Sequence, residues 1–332
     1  MAIEALALVT DLGEGIRQIR LPMAGSPMRY INGYLIDDDG GPTLVDCGWR
    51  ADDVLAALHA GLAECGTDLE AVARVCITHA HYDHYGLAGT LRRAGLRELI
   101  MHPAEWEFAK LHYTDIAEFD RIADAWIERN GFTAASDDVA EEDVLHHRVE
   151  LTEPTSLVED GGHVGRLRAL WTPGHTAGHL CFLDERSGRM LTGDHVLDPV
   201  TPHVGSWSPN GTDRIGNYIA SLEKVNAIGA TGVLPAHGEP WTELTPRVDA
   251  LIAHEYEREA RIVALLERGP ASAGDIARAL TWTRKERAFD ALAPAHQQFA
   301  VAETLAHLEH LWHTGRASRD ESANVIRYTS RP

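Results

Sequence analysis

"ITHAHYDHYGLAG" (residues 77–89) places His79, His81, Asp83 and His84 within six positions. Each of these side chains ligates a metal ion when deprotonated, and the alternative is a polar surface turn that is rich in histidine. The preceding "VARVCITHAH" (72–81) is a short β-branched run that leads straight into the cluster, and "YGLAGTLRRAG" (85–95) begins a helix. The cluster is therefore expected at the C-terminal end of a strand, where α/β proteins commonly place chemistry.

Three later stretches share this layout. "TPGHTAGH" (172–179) puts His175 in a Pro-Gly turn after a strand-like run, "LTGDHVL" (191–197) puts Asp194 after another, and "VLPAHGEP" (233–240) puts His237 after a third. A single histidine at a strand end is usually structural. Four such sites can instead share one rim of a sheet. Upstream, "YINGYLID" (30–37) and "TLVDCG" (43–48) read as successive strands, and "ADDVLAALHAGLAECG" (51–66) as a helix with an acidic first turn and a terminal glycine.

In that order, HxHxDH, TPGHT, GD and PxHG make the chain resemble the metallo-β-lactamase superfamily over about residues 15–240. The resemblance implies an αββα sandwich with a dinuclear metal site at the sheet ends. Matched position by position, it implies that His79, His81 and His175 hold the first metal. It gives Asp83, His84 and His237 to the second and makes Asp194 the bridge, with Asp83 and Asp194 as the catalytic carboxylates. Imidazole and carboxylate donors suit zinc, with iron or manganese as alternatives, so two Zn²⁺ per chain are expected. Two such ions lower the pKa of a shared water and polarise a carbonyl or phosphoryl oxygen, which makes a metal-bridging hydroxide the expected nucleophile.

Weaker expectations surround this set. Asp46 matches an early "VDTG"-like turn and is expected to hydrogen-bond a ligand histidine, with Thr78, Thr176 and His179 in similar orienting roles. Tyr82 and Tyr85 either line the pocket or pack in the core. His195 and His203, in "GDHVLDPVTPHVG" (193–205), read better as solvated loop histidines than as substrate contacts. Cys47 and Cys181 read as packing residues.

Residues 104–150 interrupt the strand-rich pattern and carry 13 acidic against 4 basic side chains. "AEWEFAKLHYTDIAEFDRIADAWIERNG" (104–131) reads as one or two helices, and "SDDVAEEDV" (136–144) as an exposed acidic stretch. The segment is expected to be a helical insertion that covers the site or packs its aromatics in the core. As a wall for substrate it would offer the aromatics of 104–130. Beyond residue 240, "ELTPRVDALIAHEYEREARIVALLERG" (243–269), "ASAGDIARAL" (271–280) and "FAVAETLAHLEHLWHTGRA" (299–317) read as helices, and "ASRDESANVIRYTS" (317–330) as a hairpin. This pattern suggests a winged-helix module over 241–332, after a catalytic domain at 1–240.

Composition narrows the function. The 332-residue chain is 44% hydrophobic with a net charge of −20, which argues against a general nucleic-acid binder. Residues 1–240 hold 18 Lys/Arg against 37 Asp/Glu, whereas 241–332 are nearly balanced at 12 against 13. The N-terminus has no basic leader pattern, no segment approaches a membrane span, and the four cysteines lack CxxC spacing. A cytoplasmic protein with reduced thiols is expected, acting on a small molecule, with a homodimer left open. Hydrolysis of an ester, thioester or lactone is the first reading. A phosphodiesterase or endoribonuclease of the lactamase-β-like type is the alternative, and a non-catalytic metal-binding protein comes third.

Overall fold

The computed structural model describes residues 7–133 and 148–331. The acidic stretch 136–144 lies outside the described residues.

Two sheets stack face to face. The first runs in chain order through β1 (Val9–Asp11), β2 (Ile16–Pro22), β3 (Tyr30–Ile36), β4 (Thr43–Val45), β5 (Arg74–Cys76), β6 (Glu98–Met101) and β7 (Ser156–Leu157). Its early pairs are antiparallel, whereas β4 to β7 are parallel. The second sheet comprises β8 (His163–Val164), β9 (Leu167–Trp171), β10 (Leu180–Asp184), β11 (Arg189–Gly193) and β12 (Gly232–Pro235). Here β11 and β12 are parallel and the remaining pairs antiparallel.

Side-chain alternation along the strands divides the core into layers. Ile16, Ile36, Val45 and Cys76 of the first sheet meet Leu167, Ala169, Phe182 and Leu191 of the second between the sheets. On the outer face of the first sheet, Ile19, Leu21, Leu35 and Val75 pack against Val54, Leu58 and Leu62 of α1 (Asp52–Glu64). Short helices α2 (Tyr82–Tyr85) and α3 (Ala88–Arg93) follow the histidine cluster. Next come α4 (Pro103–Thr114) and α5 (Ile116–Arg129), as the helical reading of 104–131 anticipated.

The outer face of the second sheet is covered by α6 (Arg214–Ala227) and by the start of α7 (Leu244–Leu266), through Tyr218, Leu222, Val248 and Leu251. This completes a mixed α/β sandwich with helices on both sides. Sequence periodicity had not singled out α6.

The rest of α7, together with α8 (Ala273–Ala279), α9 (Pro294–His313) and two small hairpins, β13–β14 (Thr281–Trp282, Arg287–Ala288) and β15–β16 (Ala317–Asp320, Arg327–Ser330), surrounds a further core. A Ser272–Asp275 capping box starts α8. Trp126, Ile127 and Phe132 enter this same core beside Ile262, Val301 and Tyr328. Trp126 is therefore buried in the C-terminal core and is not part of a wall at the site. Among the described residues, no helix is long and apolar enough to cross a membrane. The cysteines are free, and Cys47, Cys76 and Cys181 are buried. Burial pushes the Cys181 thiol up to about 12, consistent with a packing role.

Candidate metal centre

Four strand ends deliver the site. His79 follows β5, His175 follows β9, Asp194 follows β11 and His237 follows β12. Gly193 makes the turn into Asp194 with φ +50°, and a Cβ there would lie 2.7 Å from His179 Nε2. The backbone can therefore bring Asp194 in close only with glycine at that position.

All seven residues of the expected ligand set converge. His79, His81 and His175 form one cluster, and Asp83, His84 and His237 form a second. In the first, His79 Nε2 is 2.9 Å and His175 Nε2 3.0 Å from His81 Nδ1. In the second, His237 Nε2 is 3.2 Å and His84 Nε2 3.8 Å from Asp83 Oδ2. Asp194 lies between them. Its Oδ1 is 3.5 Å from both His84 Nε2 and His237 Nε2, and its Oδ2 is 3.8 Å from His175 Nε2.

The opposite ring edges fix the tautomers. His175 Nδ1 is 2.7 Å from the His203 carbonyl and His237 Nδ1 is 3.2 Å from the Tyr30 carbonyl. A carbonyl only accepts, so both Nδ1 atoms carry the proton and both Nε2 lone pairs face the site when the rings are neutral. His84 Nδ1 donates to Asp46 Oδ2 at 2.7 Å. The same Asp46 carboxylate accepts the Thr78 amide and hydroxyl, each at 2.8 Å, and the Thr78 hydroxyl lies 3.1 Å from His79 Nδ1. Asp46 and Thr78 thus orient ligand-set histidines as expected. His179 also acts on the set: its Nε2 accepts the Asp194 amide at 3.2 Å, while its Nδ1 faces the Thr172 hydroxyl at 2.9 Å.

Electrostatics separate the clusters. Burial, and the neighbouring imidazoles, hold His79 and His81 well below the usual histidine range, and burial lowers His175 too. Burial would also lower His84 and His237, but Asp46, Asp194 and Asp83 outweigh it at His84, and Asp194 and Asp83 at His237, so both are raised. Asp194 is held well below the carboxylate range: burial opposes this, and the facing His237 and His84 prevail.

The residues fit a metal pair. His84 Nε2 and Asp194 Oδ1 are buried without a hydrogen-bond partner, although both are strong polar atoms. His79 Nε2 and His175 Nε2 each lie about 3 Å from His81 Nδ1, so the three nitrogens converge closely enough to share one cation through bonds of about 2.0–2.1 Å. The donor set offers five imidazoles and two carboxylates.

Other expectations are corrected. His195 and His203 are not solvated loop residues. His195 is fully buried and packs edge-on against Tyr218. His203 is half-buried, donates from Nε2 to the Phe299 carbonyl at 3.1 Å and supplies the carbonyl that holds His175. Tyr85 is a core residue whose hydroxyl engages Thr152. Tyr82 is half-buried and stacks on Trp49.

Sequence reading missed Gln18 and Asn32. Both are buried polar residues inside strands. The Asn32 amide donates to the Pro235 and Gly238 carbonyls at 2.9 and 2.8 Å, on either side of His237, and Gln18 holds Asn32 Oδ1 at 2.8 Å. The available signal was polar residues at apolar strand positions facing a ligand loop.

Comparison with known proteins agrees with this geometry. Residues 27–258 match the family model described as "Metallo-beta-lactamase superfamily". Residues 260–331 match "Metallo-beta-lactamase-like, C-terminal domain", a description that does not mention a winged helix. A metallo-beta-lactamase family protein from Thermus thermophilus superposes with a TM-score of 0.80 at 29% identity, covering 97% of this chain and all of that one. "Probable metallo-hydrolase YqjP" of Bacillus subtilis is 24% identical over 83% of this chain and 86% of its own length. "Atrochrysone carboxyl ACP thioesterase" of Emericella nidulans is 32% identical, over 33% of this chain and 34% of its own.

Proposed function

Since this chain belongs to the metallo-beta-lactamase superfamily and is a metal-dependent hydrolase, we propose that it hydrolyses an ester, thioester or lactone of a small molecule at a two-metal centre, with zinc as the expected metal. The observation that carries this reading is the pair of three-donor clusters with Asp194 presenting one oxygen to each. His79, His81 and His175 would hold one ion, Asp83, His84 and His237 the other, and Asp194 both. Bound there, the pair would lower the pKa of water and polarise an acyl oxygen.

The chain's own residues supply the rest. Asp83 Oδ2, 3.2 Å from His237 Nε2, faces the second cluster as an ionised carboxylate, and Asp46 keeps His84 in the tautomer that faces the site. Aromatic side chains flank the first cluster. The Phe108 ring is 6.3 Å from that of His81, and Phe299, which is 43% exposed, packs edge-on to His203 and Trp207. These surfaces favour an apolar acyl group over a polyanion, as does the acidic balance of residues 1–240. The thioesterase among the relatives supports the same branch over the third of the chain it matches. The nearly balanced C-terminal residues are assigned to packing and assembly, with no nucleic-acid partner.

The test is a panel of thioesters, lactones, β-lactams, bis-phosphodiesters and RNA offered to one metal-loaded preparation. Turnover of an acyl substrate with phosphodiesters at background is expected. Robust cleavage of RNA or bis-phosphodiesters, with acyl substrates at background, would overturn the proposal.

A further inference from the structure

We propose that Glu105 is a positioning residue for the metal centre, its buried carboxylate locking the His79–His81 loop to the His175 loop and setting the spacing of the three-imidazole cluster. The inference rests on the reading that this cluster holds a metal ion.

Glu105 lies in the first turn of α4 and is fully buried. Its Oε1 accepts the Ala80 amide at 2.7 Å. Its Oε2 accepts the Gly178 amide and the Thr176 hydroxyl, each at 2.8 Å. Ala80 is the residue between His79 and His81, Thr176 follows His175, and Gly178 precedes His179. One side chain therefore joins the loop leaving the first sheet to the loop within the second, and these two loops carry all three nitrogens of the first cluster. The α4 helix also grips the next peptide of the same loop, because the Tyr113 hydroxyl donates to the Ala80 carbonyl at 2.7 Å.

Steric fit supports the same role. A Cβ on Gly178 would overlap the backbone nitrogen of Glu105, so the second loop rests directly on the first turn of α4. Chemistry explains why the residue is a glutamate. Three donors converge on it, and only an acceptor with no proton of its own satisfies all three. A buried carboxylate carries a large desolvation cost, which charge-assisted hydrogen bonds offset in part. Glutamine would keep the shape, but its amide NH₂ would have to face either the Ala80 N–H or the Gly178 N–H.

The test is a Zn²⁺ titration of the full chain, stripped by chelator and read in competition with a chromophoric chelator. Wild type is expected to bind in two steps. In Glu105→Gln one step should weaken by about 10–100-fold, as typically follows loss of a group supporting a ligand, with the other changed little. In a His84→Ala background, where the three-imidazole cluster alone is intact, Glu105→Gln should weaken the remaining step by a similar factor. Thr176→Val removes a single donor and should weaken the same step several-fold, with an unchanged melting temperature for the metal-free protein. Wild-type affinities in both variants overturn the proposal, as does equal weakening of both steps. If Glu105→Gln does not fold, Thr176→Val decides alone, and a wild-type titration overturns it. Failure of the two-metal reading is distinct, because wild type itself would then lack two steps.

Discussion

The three-imidazole cluster of His79, His81 and His175 and the mixed cluster of Asp83, His84 and His237 share Asp194 but differ in charge and in anchoring. The first is a neutral set in which burial suppresses protonation. In the second, carboxylates draw protons onto His84 and His237. Each set leans on one buried carboxylate that accepts three donors: Glu105 behind the first and Asp46 behind the second. Burial and backbone shape one half of the centre, whereas charge shapes the other. The two halves should therefore fail under different perturbations.

The change that breaks both halves at once should have the largest effect. Asp194→Ala removes the side chain they share. Hydrolytic turnover should fall by about 10³-fold or more, as when one member of a group acting as a unit is deleted. Steady-state kinetics with metal analysis check this. A fully active variant with unchanged metal content would remove the bridge from the account.

A change that separates the halves comes next. Asp46→Asn sets an amide NH₂ against the Thr78 or His84 donors and should weaken the mixed-cluster step by about 10–100-fold. The three-imidazole step, which Asp46 reaches only through Thr78 and His79 Nδ1, should weaken less. Metal titration reads the difference, and equal loss in both steps would collapse the distinction.

Acid should separate them without mutation. His84 and His237, whose pKa values are raised, keep their protons to higher pH, so proton competition with metal begins above about pH 6.5 and grows as pH falls. His79, His81 and His175, whose values are lowered, stay neutral to lower pH. Metal content between pH 8 and 5 should decline in two stages, the mixed cluster first. Loss of both metals in one stage would contradict this.

The smallest effect lies outside the centre and serves as a control. His310 on α9 places Nδ1 2.9 Å from both Asp213 oxygens, at the start of α6. The hydrogen bond to Asp213 raises His310 against its partial burial. A raised histidine contributes stability that is fully present below its unfolded value near 6.5 and is lost as pH rises through the folded value. Asp213 is lowered, because its bond to His310 outweighs burial, and this extends the contribution down toward about pH 4. His310→Ala should lower the melting temperature by a few degrees at pH 5–6 and by less at pH 9, with both metal steps unchanged. A pH-independent difference would remove the ion pair from the account.

The clustering of the seven candidate residues was legible because their motifs follow apolar runs, and strand ends project such residues to one rim. Asp46 was legible for the same reason. Glu105 was not, because an acidic residue in a first helical turn reads as ordinary N-terminal stabilisation. Gln18 and Asn32 were hidden because polar residues within strands read as solvent-facing until the neighbouring loop is known. The helices at 104–131 were legible as helices, but periodicity does not say which core receives Trp126. His195 read as a loop residue because nothing in the sequence announced that α6 would cover it with Tyr218.

The proposed pair of metal ions, held by two donor clusters joined at Asp194, sets the stoichiometry of the loaded chain. Elemental analysis of the full chain, loaded with excess Zn²⁺ and desalted, tests it most directly. About two ions are expected per wild-type chain and no more than one in Asp194→Ala. A wild-type chain that retains a single ion, or an Asp194→Ala chain that retains two, would contradict it.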